Sequence, residues 1–303
     1  MSSSDGGIKN AISLKSTRFA DGEYWVRLVM FACASVAIFA ILLIFVFVLR
    51  ESLPAIRQLG VGNLFFSAHY NPQTQNYGML GFIWGTIFTT FGAMIIGAPL
   101  AIGTAVFLDQ VAPERISRIV RRGIELLAGI PSVVIGWFGL ILLVPFLRTL
   151  TGTAGFGVFA AILVLVVMVL PTITTLSAET LKSLPGELKE ASAAMGATRW
   201  QTIYKVLLPS AREGLLIATI LGMGRAIGET MAVQMVIGNA RAGTFSLFGT
   251  TSTLTTRIVT DMAEAPSGPP RSALFAMGLV LLLLAMILII VIRLISRERK
   301  PGR

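Results

Sequence analysis

The chain has 303 residues, 54% of them hydrophobic and only 13% charged, with a mean hydropathy of +0.80. A soluble domain carries about a quarter charged residues, and a single core in water cannot hide this much apolar surface, so the composition points to a bilayer. A formal charge of +10 also suits nucleic acid, and where the basic residues sit decides between the two.

A spanning helix needs about 20 mostly apolar residues, because roughly 30 Å of hydrocarbon is crossed at about 1.5 Å per residue. Residues 28–49 meet this without a charge, after an N-terminal stretch too long and polar for a secretory signal and with no small-residue cleavage site behind it. The next predicted spans are 79–108, 126–147, 156–176, 215–237 and 272–292. Pro99 and several glycines lie inside the second, as membrane helices tolerate. Arg225 and Glu229 interrupt the fifth. Cys33 falls inside the first span and reads as a small buried hydrophobe. His69, the only histidine, sits in a polar loop. With one cysteine and one histidine, no metal site, no catalytic triad and no cofactor is expected.

Eighteen of the 25 Lys and Arg residues lie in the N-terminal flank, the loops near 109–123 and 177–212, and the C-terminal tail; six lie in the alternate segments and Arg225 lies in a span. By the positive-inside rule both termini face the cytoplasm. The positive charge therefore reports topology, and no nucleic-acid partner is expected. Residues 1–25 read as a cytoplasmic tail, 26–78 as the first transmembrane helix and an external loop, 79–295 as a transmembrane domain with a cytoplasmic loop near 182–213, and 296–303 as a cytoplasmic tail.

That loop has the most specific pattern. Pro185 suits a first helical turn, Glu187 to Ala194 are strong helix formers, and Gly196 provides a left-handed stop. Thr198 with Gln201 three residues on fits a capping box, opening a second short helix through Val206 that Pro209 ends, and Pro209 can start the next helix. Glu190-Ala191-Ser192, three residues, Gly196, nine residues, then Val206-Leu207-Leu208-Pro209 resembles the EAA loop of ABC importer permeases, with Ser192 for the third Ala and Val206 for Ile. The resemblance implies an all-α bundle of six transmembrane helices of the type I (MetI-like) kind. It also implies that Glu190, Ala191, Gly196, Thr198, Arg199 and Trp200 form a coupling element docking on a separate ATPase dimer. No G-x-x-x-x-G-K-[ST] run occurs, so ATP hydrolysis is assigned to that partner and the chain is not expected to be an enzyme.

The string from Gly222 to Val233, GMGRAIGETMAV, is similar to the fifth-helix signature of PstC-type permeases of phosphate importers; Ala128 to Ser132 and the outer segment Tyr70 to Gly78 are similar to them as well. A charge in a membrane helix is costly. Residues 225 and 229 are four apart, so a continuous helix places them on one face, as a buried ion pair or as part of an anion path with Thr230. An Arg fork engages two phosphate oxygens at once. Gly222, Gly224 and Gly228 would admit a close neighbouring helix. The resemblance implies a PstA-like second permease, an external phosphate-binding protein, membrane lipid around the bundle, and the bacterial inner membrane as location. A permease for sulfate or molybdate is the same-class alternative. A channel or ion-coupled carrier needs no docking loop, and an intramembrane enzyme lacks a nucleophile–base pair. The Thr-rich segment from Leu247 to Met262 reads as a re-entrant or interfacial helix facing the binding protein, or as a solvated loop.

Overall fold

The computed structural model describes residues 5–241 and 245–297. Most of the expected 296–303 tail, with Arg299, Lys300 and Arg303, lies outside the described residues. Six helices among those described are long and apolar enough to cross a membrane: Tyr24–Leu59, Leu80–Val111, Ser132–Thr151, Val158–Lys182, Arg199–Gly228 and Pro269–Leu294. The chain divides into two units, residues up to Glu51 and residues from Ser52 on.

The first unit is one long helix, α1 (Asp5–Leu59), which continues into the second unit. From Tyr24 to Arg50 its side chains are almost all exposed, with Phe31 at 71%. Cys33 is exposed as well, contrary to the buried reading. An all-apolar helix does not require a protein core when lipid is its solvent.

In the second unit α3 (Leu80–Val106) and α10 (Leu208–Gly228) pack on α7 (Val158–Lys182), the most deeply buried helix. Their contact faces are built from small residues. Along α10 these are Ala211, Gly214, Ala218 and Gly222, all near i, i+3, i+7 spacing. A Cβ on Gly214 would lie 2.2 Å from Thr180 Cγ2, and one on Gly222 would lie 2.4 Å from Ile173 Cγ1. Lipid tails are as apolar as leucine, so helices in a bilayer gain by close backbone approach rather than by burying bulk. Of the three glycines expected to permit this, only Gly222 does. Gly224 and Gly228 have nothing within 4 Å of a virtual Cβ.

The remaining spans differ from expectation where proline intervenes. The third begins at Ser132, because Pro131 forces Ile130 into the extended region (ψ 128°) and separates α4 (Glu114–Gly129) from α5 (Ser132–Phe138). A π turn at residues 139–143 joins α5 to α6 (Val144–Thr151). The last span is α13 (Pro269–Arg297).

At the end of the bundle where α3 begins, the expected external loop is folded. The end of α1, α2 (Val61–Phe66) and a two-residue hairpin, β1 (Tyr70–Asn71) with β2 (Asn76–Tyr77), pack around Leu64, Tyr70, Tyr77, Met79 and Phe82. His69 is exposed, as a loop histidine should be. Beneath lies α12 (Leu254–Met262), whose N-terminal half is buried and whose Leu254 N–H donates to Thr86 Oγ1 at 2.9 Å. From Thr251 on, the Thr-rich segment is thus packed into the bundle and is not a solvated loop. Its anchor is Arg257, 2% exposed, ion-paired with Asp261 and lying 5.4 Å from the Tyr70 ring centroid and 5.9 Å from that of Phe82. Tyr70 Oη donates to Asp261 at 2.7 Å. Burial, then this hydrogen bond, holds the Tyr70 hydroxyl well above the usual tyrosine range, so it stays protonated and remains a donor.

Removing one member of a buried charge pair leaves the other uncompensated, at about 3–5 kcal/mol. Asp261→Ala should therefore lower the unfolding stability of the detergent-purified chain by that amount. The triple variant Arg257→Met, Asp261→Leu, Tyr70→Phe, which removes the whole polar group, should lose much less. Equal melting losses in the two would contradict this account.

Candidate functional site

Two features carry the chemistry, and one helical run joins them. The first is a hairpin of α8 (Glu187–Ala194) and α9 (Arg199–Thr202). Its turn contains Gly196 at φ +73°, and the capping box is formed: Gln201 N–H donates to Thr198 Oγ1 at 3.3 Å, and Thr198 N–H donates to Gln201 Oε1 at 2.9 Å. Ser192, the departure from E-A-A, is buried and shares a 2.9 Å hydrogen bond with Thr202 that ties α8 to α9. The Arg199 guanidinium donates to the Gln110 carbonyl on the π turn after α3. Below the hairpin Ile203, Leu207, Ala211 and Leu215 pack on Ala105, Val106, Ala178 and Leu181. Three large apolar side chains on the hairpin and just after it are uncovered among polar ones: Met195 is 87%, Trp200 67% and Tyr204 66% exposed. Glu190, Ala191, Gly196, Thr198, Arg199 and Trp200 are all exposed on this one element.

Pro209 starts the next helix, as expected, but does not close the short one before it. A π turn over residues 203–207 carries the chain from α9 into α10, with Pro209 in the first turn of the latter. Proline in an α-helix clashes with the carbonyl four residues back and leaves it without a donor. Widening the preceding turn, as the Leu208 N–H to Ile203 carbonyl bond shows, makes room for the ring. The result is one apolar run from Arg199 to Gly228, 30 residues long.

The second feature ends that run. The expected fifth span is continuous through Ile237; the structure breaks it at Glu229, which is extended (ψ 126°), before the short α11 (Met231–Val236). Arg225 and Glu229 therefore do not stack one turn apart, and among the described residues no ion pair joins them. Arg225 Nη1 donates to Thr172 Oγ1 on α7 at 3.3 Å, leaving the guanidinium exposed. The Glu229 carboxylate turns the other way and accepts from the Ala232 N–H at 3.5 Å, capping α11. Its backbone carbonyl accepts from Thr255 Oγ1 of α12 at 3.2 Å, and Thr230 Oγ1 donates to the Gly228 carbonyl at 3.3 Å. The break is thus flanked by Arg225 with Thr172 on one side and by Glu229, Thr230 and Thr255, bound to its own backbone, on the other. Sequence reasoning missed Thr172 and Thr255, which lie far from the string in the chain; only the Thr-rich composition around 255 hinted at a polar role. Among the described residues no group of His, Cys, Asp and Glu side chains could hold a metal.

Gly196 meets nothing within 4 Å of a virtual Cβ, so a side chain there costs only backbone conformation. Gly196→Ala should loosen the α8–α9 turn by about 1–2 kcal/mol. Amide exchange at residues 195–198 is expected to speed up by one order of magnitude or more while the melting of the bundle is unchanged. Unaltered exchange would mean that the positive φ is not held in solution.

Residues 97–301 match the family model described as "Binding-protein-dependent transport system inner membrane component". The chain is 43% identical over 295 residues to the probable ABC transporter permease protein YqgH of Bacillus subtilis, covering 95% of each chain. It is 35% identical to the phosphate transport system permease protein PstC of Xylella fastidiosa, again over 95% of each. Among solved structures, the inward-facing MetNI methionine ABC transporter contains a chain with 26% identity and a TM-score of 0.58, aligned over 72% of this chain and 94% of that one. With the six spans and the exposed hairpin already in place, these likenesses mean that the chain belongs to the family of inner membrane components of binding-protein-dependent transport systems.

Proposed function

We propose that the chain is the PstC-type permease subunit of a phosphate importer driven by ATP, and that phosphate passes the helix break. The observation that carries this is the exposed Arg225 guanidinium on a membrane-length helix, held by Thr172 alone among the described residues. A free guanidinium in a membrane span is costly, and an anionic cargo is the partner that offsets the cost. An anion leaving water needs replacement donors, and a guanidinium supplies several in a planar fork. The Glu229 carboxylate nearby in sequence keeps the local field from holding the anion too tightly. The Thr172 hydroxyl, which accepts from Arg225, keeps its own proton as a neutral donor. Relatives named PstC favour phosphate over sulfate or molybdate as the cargo.

The α8–α9 hairpin is assigned to a groove of an ATPase partner, with Met195, Trp200 and Tyr204 as its apolar contact. The Arg199–Gly228 run, at about 1.5 Å per residue, is a rod of about 45 Å that carries hairpin movement to the break. A PstA-like second permease completes the path, and an external phosphate-binding protein delivers cargo at the α12 end. Both termini then face the cytoplasm.

Arg225→Ala is expected to abolish phosphate uptake in membranes where the assembled complex is present at normal abundance. Glu229→Gln, which still accepts from Ala232, should impair uptake through its lost charge alone. Since the two side chains are not paired, exchanging them (Arg225→Glu with Glu229→Arg) should not rescue transport. Normal uptake by Arg225→Ala would remove the cargo role.

For orientation and docking, single cysteines are placed in a Cys33→Ser background. Ser252, in the Thr-rich segment, is buried and unsuitable; Ser267 is exposed. Cysteine at 267 should react with an impermeant thiol reagent in intact cells. Cysteine at 195 should react only in inside-out vesicles, and there only until the ATPase is added. Labelling at 195 from outside would reverse the topology, and labelling unaffected by the ATPase would displace the docking assignment.

A further inference from the structure

Helix α4 takes no part in either feature, yet it is the most sharply two-sided element of the chain. Its sequence, ERISRIVRRGIELLAG, sorts cleanly at 100° per residue. Glu114, Arg115, Arg118, Arg121, Arg122 and Glu125 fall on one side; Ile116, Ile119, Val120, Ile124, Leu126 and Leu127 fall on the other. Only part of the apolar side is used internally. Val120, Ile124 and Leu127 are half-buried, and Ile124 lines a small cavity with Leu108, Thr174 and Ala178. The rest of it, Ile116, Ile119 and Leu126, is uncovered, with Ile119 at 70% and Leu126 at 74% exposed.

The charges are arranged unevenly around this stripe. Arg118 pairs with Glu114 at 2.9 Å, and Arg121 Nε donates to Ser117 Oγ at 3.4 Å. Arg115 and Arg122 are exposed, with no ion pair among the described residues. They lie within about 20–60° of Ile119 and Leu126 around the helix, so two cationic heads border one apolar stripe. The tethers fix where this edge can be. Only Ala112 and Pro113 separate α4 from the end of the second span, and only Ile130 and Pro131 separate it from the start of the third. Ser117 Oγ also donates to the Leu108 carbonyl at 2.9 Å. Helix α4 is therefore held at the bundle end that carries the α8–α9 hairpin, at the level where two spans meet the membrane surface.

We infer that α4 is an interfacial helix that seats its Ile116–Ile119–Leu126 stripe among acyl chains and binds the phosphate of anionic phospholipid headgroups through Arg115 and Arg122. An apolar stripe edged by guanidinium groups matches a lipid monolayer, whose acyl chains and phosphates are layered in that order. A protein partner covering the stripe would have to cover two further cations bordering it, at a desolvation cost that lipid phosphate does not impose.

The test uses the full importer complex, with Ile119→Cys labelled by a fluorophore in a Cys33→Ser background. The complex is reconstituted in phosphatidylcholine vesicles containing 20% phosphatidylglycerol. Nitroxide-labelled acyl chains are carried either by the phosphatidylcholine or by the phosphatidylglycerol. Both are expected to quench, with phosphatidylglycerol preferred by up to about fivefold per arginine. The preference should shrink as salt screens it. In Arg115→Gln with Arg122→Gln it should fall to near one, while quenching by phosphatidylcholine persists. No quenching by either lipid in the assembled complex would show the stripe covered by another subunit and overturn the inference. Equal quenching by both lipids in the parent protein, or a preference that survives loss of both arginines, would overturn the headgroup assignment.

Discussion

Close backbone contact among α3, α7 and α10 is the constraint on which the rest of the molecule depends. Helices α3 and α10 turn Ala and Gly faces to the bulkier α7, and a methyl group at Gly214 or Gly222 would collide with the Thr180 or Ile173 side chain. In a bilayer there is no hydrophobic force to press bulky side chains together, so the gain comes from dispersion over many short contacts. That gain is steep in distance and holds α10 in one position against α7. Everything functional hangs on α10: the hairpin precedes it, the helix break follows it, and the Arg225–Thr172 hydrogen bond exists because α7 is near.

A rigid rod is useful only if both ends are specified. At the hairpin end, specification is local and polar: the positive φ of Gly196, the Thr198–Gln201 box, the Ser192–Thr202 bond and the Arg199 clasp on the Gln110 carbonyl. These fix the hairpin's shape and tie it to α3, while Met195, Trp200 and Tyr204 stay uncovered. At the other end the bundle spends stability on a buried charge. Arg257 is sealed under Tyr70 and Phe82 with a single carboxylate partner, and its Nε and Nη1 find no acceptor among the described residues. A pair of this kind is seldom the most stable filling for a core. It does fix the direction of α12, whose Thr255 then reaches the Glu229 carbonyl at the break.

The break also changes how its two charges act. On a continuous helix a carboxylate one turn from a guanidinium neutralises it, and the pair needs nothing else. With Glu229 extended and engaged in capping α11, Arg225 keeps an open face and the two charges do not neutralise each other.

The spans, the class of the molecule and the hairpin were legible in the residues because each rests on near-neighbour physics. Apolar run length against bilayer thickness, a capping box three residues wide and a left-handed glycine need no knowledge of the remaining chain. The Glu187–Ala194 helix and the Thr198 cap lie where the spacing placed them. Hydropathy also located the fifth span but said nothing of its break, since Gly228, Glu229 and Thr230 interrupt neither length nor period decisively. There α12 supplies a hydrogen bond to the extended residue's carbonyl, from a segment more than 20 residues away. Pro209 starts the next helix as its position allows, but it does not close the one before, because a π turn just before it absorbs the clash. The folding of 52–79 around Arg257, Tyr70 and Asp261 likewise belongs to tertiary structure alone, because residues about 190 positions apart must meet before a buried charge is tolerable. The amino-acid sequence by itself determined which segments enter the membrane and how the hairpin turns; packing decided which charges remain free, because only packing brings distant donors and acceptors to them.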